Sequence, residues 1–247
     1  MDQKTIKDIQ TKLLEDLIEL QFPGQLMVGD ICVTFSDDIV ENIIQEWVEG
    51  WLQKNGIDYA LNDNTQMPPD FYLNPDNKKE GLMEIKAFNY KCGPGFDIAD
   101  FRMYEQEIAH KPWMLDVTYL IFGYEMSEDG TVTIKKIWKN KVWEMSRPKA
   151  SGPKKTIWPI NLQIKKGTVH KIRPAKWYGK STKFSIFACK EDFLAAMEET
   201  VYKNKDTRDD GPEWLSTVIE NYENHFGEKL CIPRWNDIKN KYVNDKS

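Results

Sequence analysis

The apolar residues of this chain recur at two spacings, one typical of helices and the other of strands. Apolar residues at every third or fourth position predict amphipathic helices, while alternation of apolar and polar residues predicts strands. Predicted helices cover residues 4–21, 38–54, 98–110, 190–203, 212–226 and 234–243. Predicted strands cover residues 70–74, 82–88, 117–124, 131–138 and 184–188, with a twisted hairpin over about 156–172.

The order of these elements indicates how the chain is organised. Helices, strands and helices follow one another, and Val117–Tyr124 is nearly continuously apolar, as in a central strand. We therefore expect an α/β fold with a central mixed β-sheet flanked by helices. A chain of 247 residues can form one core, so we expect a single domain over 1–247. The turn-rich segment 135–183 is expected to be a β and loop insertion in it.

Composition narrows the class of protein further. No apolar run approaches the roughly 18 residues of a membrane span, and the N-terminal segment is polar, so we expect a cytoplasmic protein that does not contact membranes. The cysteines form no C-x-x-C pair, which argues against a structural zinc site. The three histidines share no motif, so a histidine-ligated metal centre is not indicated either.

Charge is distributed unevenly along the chain. The net charge is −5, yet residues 135–183 contain fifteen Lys or Arg and one acidic residue, Glu144, for a local charge of +14. Tryptophans and a tyrosine are interleaved with these charges, and such rings can stack on bases. This pattern predicts a surface that binds phosphates. A solvated basic face without a ligand is the alternative.

Two of the predicted strands carry charged residues on one face. Side chains alternate along a strand, so Glu84 and Lys86 point the same way within an otherwise apolar strand. A turn-rich segment, residues 74–81, precedes that strand, and Asp70 opens the strand before the turn. If the two strands pair as a hairpin, Asp70 lies beside Glu84 and Lys86. A purely structural Glu84–Lys86 ion pair is the alternative.

These residue types suit hydrolysis of a phosphodiester bond. Two neighbouring carboxylates repel each other, and a hard divalent cation removes that penalty. Such a cation polarises a phosphate and lowers the pKa of a bound water. Lys86 could hold that water or help to deprotonate it, and could offset charge in the transition state.

The sequence Pro69-Asp70, with Glu84-Ile85-Lys86 fourteen positions later, resembles the PD-(D/E)xK motif of type II restriction endonucleases. The resemblance covers about residues 38–88. It implies a sequence-specific double-stranded DNA endonuclease that uses Mg²⁺, with Mn²⁺ able to replace it, and leaves 5′-phosphates. It also implies a homodimer on a palindromic site, in a restriction–modification system whose DNA methyltransferase acts on the same site without needing to bind the nuclease. Asp70 and Glu84 would be the metal ligands.

The same family often adds an acidic residue from the helix that precedes the first strand. Glu41, Glu46 and Glu49 are the candidates here, and Glu41 is preferred because it flanks the apolar stripe of its helix. Glu46 on the opposite margin stays open, as does a solvated helix-edge role for Glu41. Asp76 also follows a proline, but it stands too close to Glu84 and within the turn.

DNA contacts are expected chiefly from the basic segment. Arg147, Arg173 and Asn161 suit base edges, because arginine pairs with guanine and asparagine with adenine. Lysines suit phosphates. The predicted phosphate contacts are Lys91, Lys149, Lys154, Lys155, Lys165, Lys166, Lys171, Lys176 and Lys180. The base sequence that is cut does not follow from these residues.

Two further hypotheses fit the same residues. One is a nuclease that recognises DNA structure, such as a junction or a repair intermediate. The other is a DNA-binding module without catalysis, in which the motif arose by chance. Metal-dependent cutting at one short sequence would separate the restriction endonuclease from both.

Overall fold

The computed structural model describes residues 3–18, 20–64, 67–151, 156–179 and 183–243. The chain divides into two compact units. The first unit comprises Met1–Asp63, Pro69–Phe96 and Thr118–Asn140, and the second comprises Asn64–Pro68, Asp97–Val117 and Lys141–Ser247.

Groups of strands are separated by helices along the chain, and three helices follow the last strand. The helices are α1 (Gln3–Leu17), α2 (Asp37–Lys54), α3 (Phe101–His110), α4 (Lys190–Lys203), α5 (Gly211–Phe226) and α6 (Trp235–Ile238). The strands are β1 (Gln21–Pro23), β2 (Gln25–Val28), β3 (Ile31–Thr34), β4 (Ala60–Leu61), β5 (Phe71–Tyr72), β6 (Leu82–Asn89), β7 (Ala99–Asp100), β8 (Thr118–Met126), β9 (Thr131–Asn140), β10 (Lys149–Ser151), β11 (Thr156–Trp158), β12 (Leu162–Lys165) and β13 (Thr168–Ile172).

A six-stranded mixed sheet forms the centre of the first unit, in the order β1-β9-β8-β6-β5-β4. Strands β6 and β8 run parallel, whereas the other neighbours are antiparallel. Strand β5 pairs with β6 through Phe71–Met83 and Tyr72–Leu82 only. The predicted α/β fold with a mixed sheet and flanking helices is confirmed.

The core of the first unit determines which way the side chains of β6 point. Met83, Ile85 and Ala87 are buried in one cluster with the apolar faces of α1 and α2. Burying these apolar groups is the main favourable contribution to folding. Because successive strand residues face opposite sides, this packing turns Glu84 and Lys86 to the other face of the sheet.

The second unit has its own sheet and helices. Strands β12, β13 and β7 form a three-stranded sheet, and β10 pairs with β11 as a hairpin. The side chain of Asp100 caps α3 by accepting hydrogen bonds from the Arg102 and Met103 N–H groups. The indole N–H of Trp214 on α5 donates to the Glu105 carbonyl on α3 at 2.9 Å.

Several predicted boundaries were wrong. Helix α1 ends at Leu17, because the chain then enters β1 at the edge of the sheet. The predicted strand 184–188 is only a single bridge between Phe184 and Val243, and helix 234–243 shortens to α6 followed by a 3₁₀ turn. Strands β1 to β3 were missed, since their short apolar runs do not alternate with polar residues.

The predicted insertion is shared between the two units. Residues 135–140 lie in β9 of the first unit, and 141–183 belong to the second. A single catalytic domain with 135–183 as its DNA-contacting part stays a prediction. Among the helices that the structure describes, none has both the length and the apolar character needed to cross a membrane.

Candidate active site

Three of the predicted acidic residues and the predicted lysine meet on one face of the first unit. Glu84 and Lys86 stand on β6, Asp70 directly precedes β5, and Glu41 comes from α2. Lys86 Nζ lies 2.9 Å from Glu84 Oε1 and 3.0 Å from Glu41 Oε1. The lysine therefore bridges two carboxylates from different elements.

Two of the carboxylates are held by the backbone of β6. Asp70 Oδ2 accepts a hydrogen bond from the Ile85 N–H at 2.7 Å, and Glu41 Oε2 accepts one from the Ala87 N–H at 3.0 Å. Strand β5 pairs with β6 no further than Met83, so the next N–H groups along that edge need other acceptors. Asp70 and Glu41 supply them, which fixes both side chains on either side of Lys86.

Burial makes the electrostatics of this cluster unusual. Only 5% of Glu84 is exposed, and burial raises the pKa of its carboxyl to about 8, with Asp70 and Glu41 adding to the effect and Lys86 opposing it. Burial also raises the pKa of Glu41 and of Asp70, against the charge of Lys86. Burial alone would lower the pKa of Lys86, but the three surrounding carboxylates outweigh it and raise that pKa. The cluster holds more potential negative charge than one lysine neutralises.

The donor set suits a hard divalent cation. Glu84 Oε2 is buried and has no hydrogen-bond partner among the described residues, which is costly for a carboxylate unless something else satisfies it. Mg²⁺ prefers oxygen ligands, usually one or two carboxylates completed by water and phosphate. Within the described part of the chain, no three His, Cys, Asp or Glu side chains form a group that could hold a metal ion. Asp70 and Glu84 together offer two carboxylates of the kind that this preference calls for.

The alternative, a purely structural ion pair, explains one part of this geometry. Glu84 and Lys86 do form an ion pair, and their side chains are only 6% and 14% exposed. A structural pair does not, however, call for further carboxylates beside it, and Asp70 and Glu41 both act on Glu84 through their charges. The two interpretations differ in what the removal of Asp70 should do.

The other acidic candidates lie elsewhere. Glu46 is exposed on α2, and Glu49 accepts a hydrogen bond from the hydroxyl of Tyr59 at 2.6 Å. Asp76 is exposed in the turn before β6. The geometry thus favours Glu41 as the acidic residue contributed by α2. Sequence reasoning missed the Ile85 and Ala87 N–H groups as anchors, because side-chain patterns do not show which main-chain donors a sheet leaves unpaired.

The predicted DNA contacts differ in how accessible they are. Lys149, Lys165, Lys166 and Lys176 are exposed in the second unit, and Lys91 is exposed in the first. Three predicted contacts, Lys154, Lys155 and Lys180, lie outside the described residues.

The residues predicted to read bases make intrachain contacts in the second unit. Arg173 pairs with Asp97 at 2.5 Å, Arg147 donates to the Phe184 carbonyl at 3.1 Å, and Asn161 donates to the Pro174 carbonyl at 2.9 Å. The Lys171 ammonium Nζ also lies 3.8 Å from Asp100 Oδ2. To contact DNA, these side chains would have to share or exchange their present partners.

A mixed sheet with two carboxylates and a lysine at adjacent strands matches the class of type II restriction endonucleases, and comparison with known proteins supports that class. The sequence model of the NgoBV restriction endonuclease family matches residues 3–242, so the chain belongs to that family. The match extends the resemblance well beyond residues 38–88.

Individual relatives cover nearly the whole chain. The type II restriction enzyme NlaIV of Neisseria lactamica is 48% identical over 98% of this chain and 99% of its own length. The type II restriction enzyme NgoBV of Neisseria gonorrhoeae is 40% identical over 72% of this chain and 99% of its own. A solved structure of the NlaIV restriction endonuclease superposes with a TM-score of 0.86 at 47% identity, covering 96% of both chains.

The predicted activity is confirmed at the level of this class. The protein is a type II restriction enzyme, a site-specific deoxyribonuclease of restriction–modification systems. Its substrate is double-stranded DNA, and enzymes of this class generally use divalent metal ions. The relatives do not favour a junction nuclease or a DNA-binding module without catalysis.

Proposed function

We propose that the protein hydrolyses both strands of a short DNA sequence with Mg²⁺, at the cluster of Asp70, Glu84, Lys86 and Glu41, and leaves 5′-phosphates. The observation that carries this proposal is the cluster around Lys86, which contacts Glu84 and Glu41 directly, while Asp70 binds the adjacent Ile85 N–H. A buried oxygen of Glu84 has no hydrogen-bond partner among the described residues. Asp70 and Glu84 would hold the metal. Mn²⁺ is expected to replace Mg²⁺.

The proposed reaction is the attack of water on phosphorus. The P–O3′ bond breaks, leaving a 5′-phosphate and, after proton transfer, a 3′-hydroxyl. When bound, Mg²⁺ supplies Lewis-acid polarisation of the phosphate and makes water more acidic. Lys86 donates hydrogen bonds to the water and to the developing charge on the phosphate oxygens. Its ammonium is held in place by Glu84 and Glu41, which reduces the reorganisation needed during the reaction.

Glu41 has a positioning role in this scheme. Its two oxygens bind the Lys86 ammonium and the Ala87 N–H, so it fixes the lysine relative to the strand. The exposed lysines of the second unit would neutralise phosphates, while Arg147, Arg173 and Asn161 are the candidates for reading bases. The protein would act as a homodimer on a palindromic site. A DNA methyltransferase would protect that site in the host without binding to the nuclease.

The test compares two aspartates that each follow a proline. Asp70→Asn keeps the shape of the side chain and removes its charge, and Asp76→Asn does the same in the exposed turn. Loss of one electrostatic contributor at an active site typically costs about 10²–10³-fold in rate. We expect Asp70→Asn to cleave DNA more slowly than the wild type by about that factor, in Mg²⁺ or Mn²⁺, while its DNA affinity is unchanged. Asp76→Asn should cleave at the wild-type rate.

Controls separate catalysis from stability. Cleavage of unmethylated phage DNA should give discrete fragments, should stop in EDTA and should recover when Mg²⁺ is restored. Mobility-shift and thermal-unfolding measurements on Asp70→Asn show whether binding and folding persist. If Asp70→Asn cuts at the wild-type rate, or if its defect is only a loss of folding, the cluster is a structural ion-pair network and the proposal fails.

A further inference from the structure

The hairpin of β2 and β3 carries an apolar face that the described part of the chain does not cover. Leu26 pairs with Val33 and Val28 with Ile31, so these four side chains lie on one side of the hairpin. They are 54%, 50%, 64% and 68% exposed, respectively. Apolar residues scattered singly on a surface are ordinary, but four that are contiguous indicate an interaction surface.

Two backbone hydrogen bonds hold the hairpin at its base. The Gly24 N–H donates to the Gly130 carbonyl at 2.6 Å, and the Phe35 N–H donates to the Gly24 carbonyl at 2.8 Å. Among the described strands, β2 and β3 pair only with each other. Each therefore presents one open edge, and exposed apolar edges promote association unless another chain covers them.

The composition of the hairpin indicates what covers it. Residues 25–34 contain one charged side chain, Asp30 in the turn, and no Lys or Arg. DNA is a poor occupant of such a surface, because affinity for the phosphate backbone comes from cationic side chains. An apolar, nearly uncharged face suits the centre of a protein–protein interface, where charged residues are depleted.

The size of the face suits a second copy of this chain. From their exposed fractions, the four side chains together expose on the order of 400 Å², which lies in the range of the largest apolar patches on ordinary monomers. Two copies facing each other would bury about twice that area, against roughly 1,200–2,000 Å² in total for a stable interface. The face therefore supplies about half of a standard interface.

We propose that the face formed by Leu26, Val28, Ile31 and Val33 packs against the same face of a second copy around a two-fold axis. This inference rests on the proposed function, in which a homodimer brings one candidate active site to each strand of a duplex. Self-association through one shared patch is the usual form of a two-fold dimer. The hairpin thereby becomes the dimerisation element of the enzyme.

The test uses two isoleucines of similar exposure. Ile31→Lys places a charge in the proposed interface, and Ile18→Lys places the same charge at a site that is 60% exposed after α1. Sedimentation velocity of the full chain, without DNA or metal and from nanomolar to tens of micromolar, gives the dimer dissociation constant. We expect the wild type and Ile18→Lys to dimerise alike, and Ile31→Lys to weaken dimerisation by at least about 100-fold, since burying an unpaired charge is costly. Val28→Lys should repeat the effect, and unchanged thermal unfolding would show that both variants fold.

The outcomes separate this inference from the nuclease proposal. A wild type that is monomeric at every concentration, or an Ile31→Lys variant as dimeric as the wild type, overturns the dimer interface. An Ile31→Lys variant that keeps its oligomeric state but loses DNA affinity assigns the face to DNA and also overturns it. In each of these cases the cleavage measurements on Asp70→Asn still decide the nuclease proposal by themselves.

Discussion

Replacing Glu41 with glutamine tests the part of the site that the sequence left open. Glu41 accepts two hydrogen bonds, from the Lys86 ammonium at 3.0 Å and from the Ala87 N–H at 3.0 Å. A glutamine has the same shape but one acceptor oxygen and one NH₂ group. It can therefore satisfy only one of the two donors, and it turns its NH₂ group towards the other. Glu46→Gln makes the same chemical change at an exposed position on the same helix.

The size of the effect follows from what is lost. A hydrogen bond to a charged group contributes about 1.5–3 kcal/mol. If that contribution is fully expressed in the position of Lys86 during the reaction, the cleavage rate falls by about 10–150-fold, since 1.4 kcal/mol corresponds to a factor of ten. DNA affinity should change little, because Glu41 is proposed to act on Lys86 and not on the DNA.

The assay is single-turnover cleavage of a supercoiled plasmid at saturating enzyme, with DNA affinity measured separately. Glu41→Asp is a further control, since it keeps the charge but shortens the reach to both donors, and it should fall between Glu41→Gln and the wild type. A Glu41→Gln rate within twofold of the wild type would refute the positioning role. So would a loss in Glu46→Gln as large as that in Glu41→Gln.

Two other predictions follow from the second unit. Burial and the charge of Asp210 raise the pKa of Glu105 to about 7. The contribution of this carboxyl to folding stability is therefore fully present below about pH 4.5 and is lost as the pH rises through 7, because the buried carboxylate then becomes charged. Glu105→Gln should therefore stabilise the protein at pH 8 by about 1–2 kcal/mol after allowance for screening, and should have little effect at pH 4. Urea unfolding at the two pH values measures this difference, and a destabilised variant at pH 8 would contradict the prediction. Lys165 and Lys166 lie at the turn between β12 and β13. Changing both to alanine should weaken DNA binding at low salt and reduce the slope of log affinity against log salt concentration by about two, whereas Lys205→Ala should do neither. An unchanged slope in the double variant would show that this turn does not contact DNA.

Strands β5 and β6 were predictable because two independent constraints act on them. The apolar alternation of Met83, Ile85 and Ala87 fixes the buried face, and that alone determines the face on which Glu84 and Lys86 lie. The turn formers before β6 fix the antiparallel pairing that brings Asp70 alongside. The placement of Asp70, Glu84 and Lys86 relative to one another is therefore encoded locally, by the sequence of residues 70–88.

Other parts of the fold depend on contacts that the local pattern does not contain. Strand β1 is defined by its pairing with β9, more than a hundred residues later, and helix α1 ends early for the same reason. Glu41 could be ranked by its position on a helical wheel, but its contact with Ala87 depends on where β5 stops pairing with β6. The residues proposed to read bases were chosen by side-chain chemistry, which does not show that Arg173 already pairs with Asp97.

The charges of the cluster around Lys86 are better explained by the proposed chemistry than by stability. A buried ion pair is at best close to neutral for folding, because desolvation of both ions offsets their attraction. Glu84 and Lys86 alone would meet the requirement for pairing. Asp70 and Glu41 also accept hydrogen bonds from backbone N–H groups, but an uncharged acceptor would serve that purpose, so the negative charges of these two residues are not needed for the fold. Folding gains nothing from an excess of carboxylates with raised pKa values. Bringing a cation and a phosphate together requires such an excess, and this requirement is a physical reason for the chain to hold three acids against one lysine.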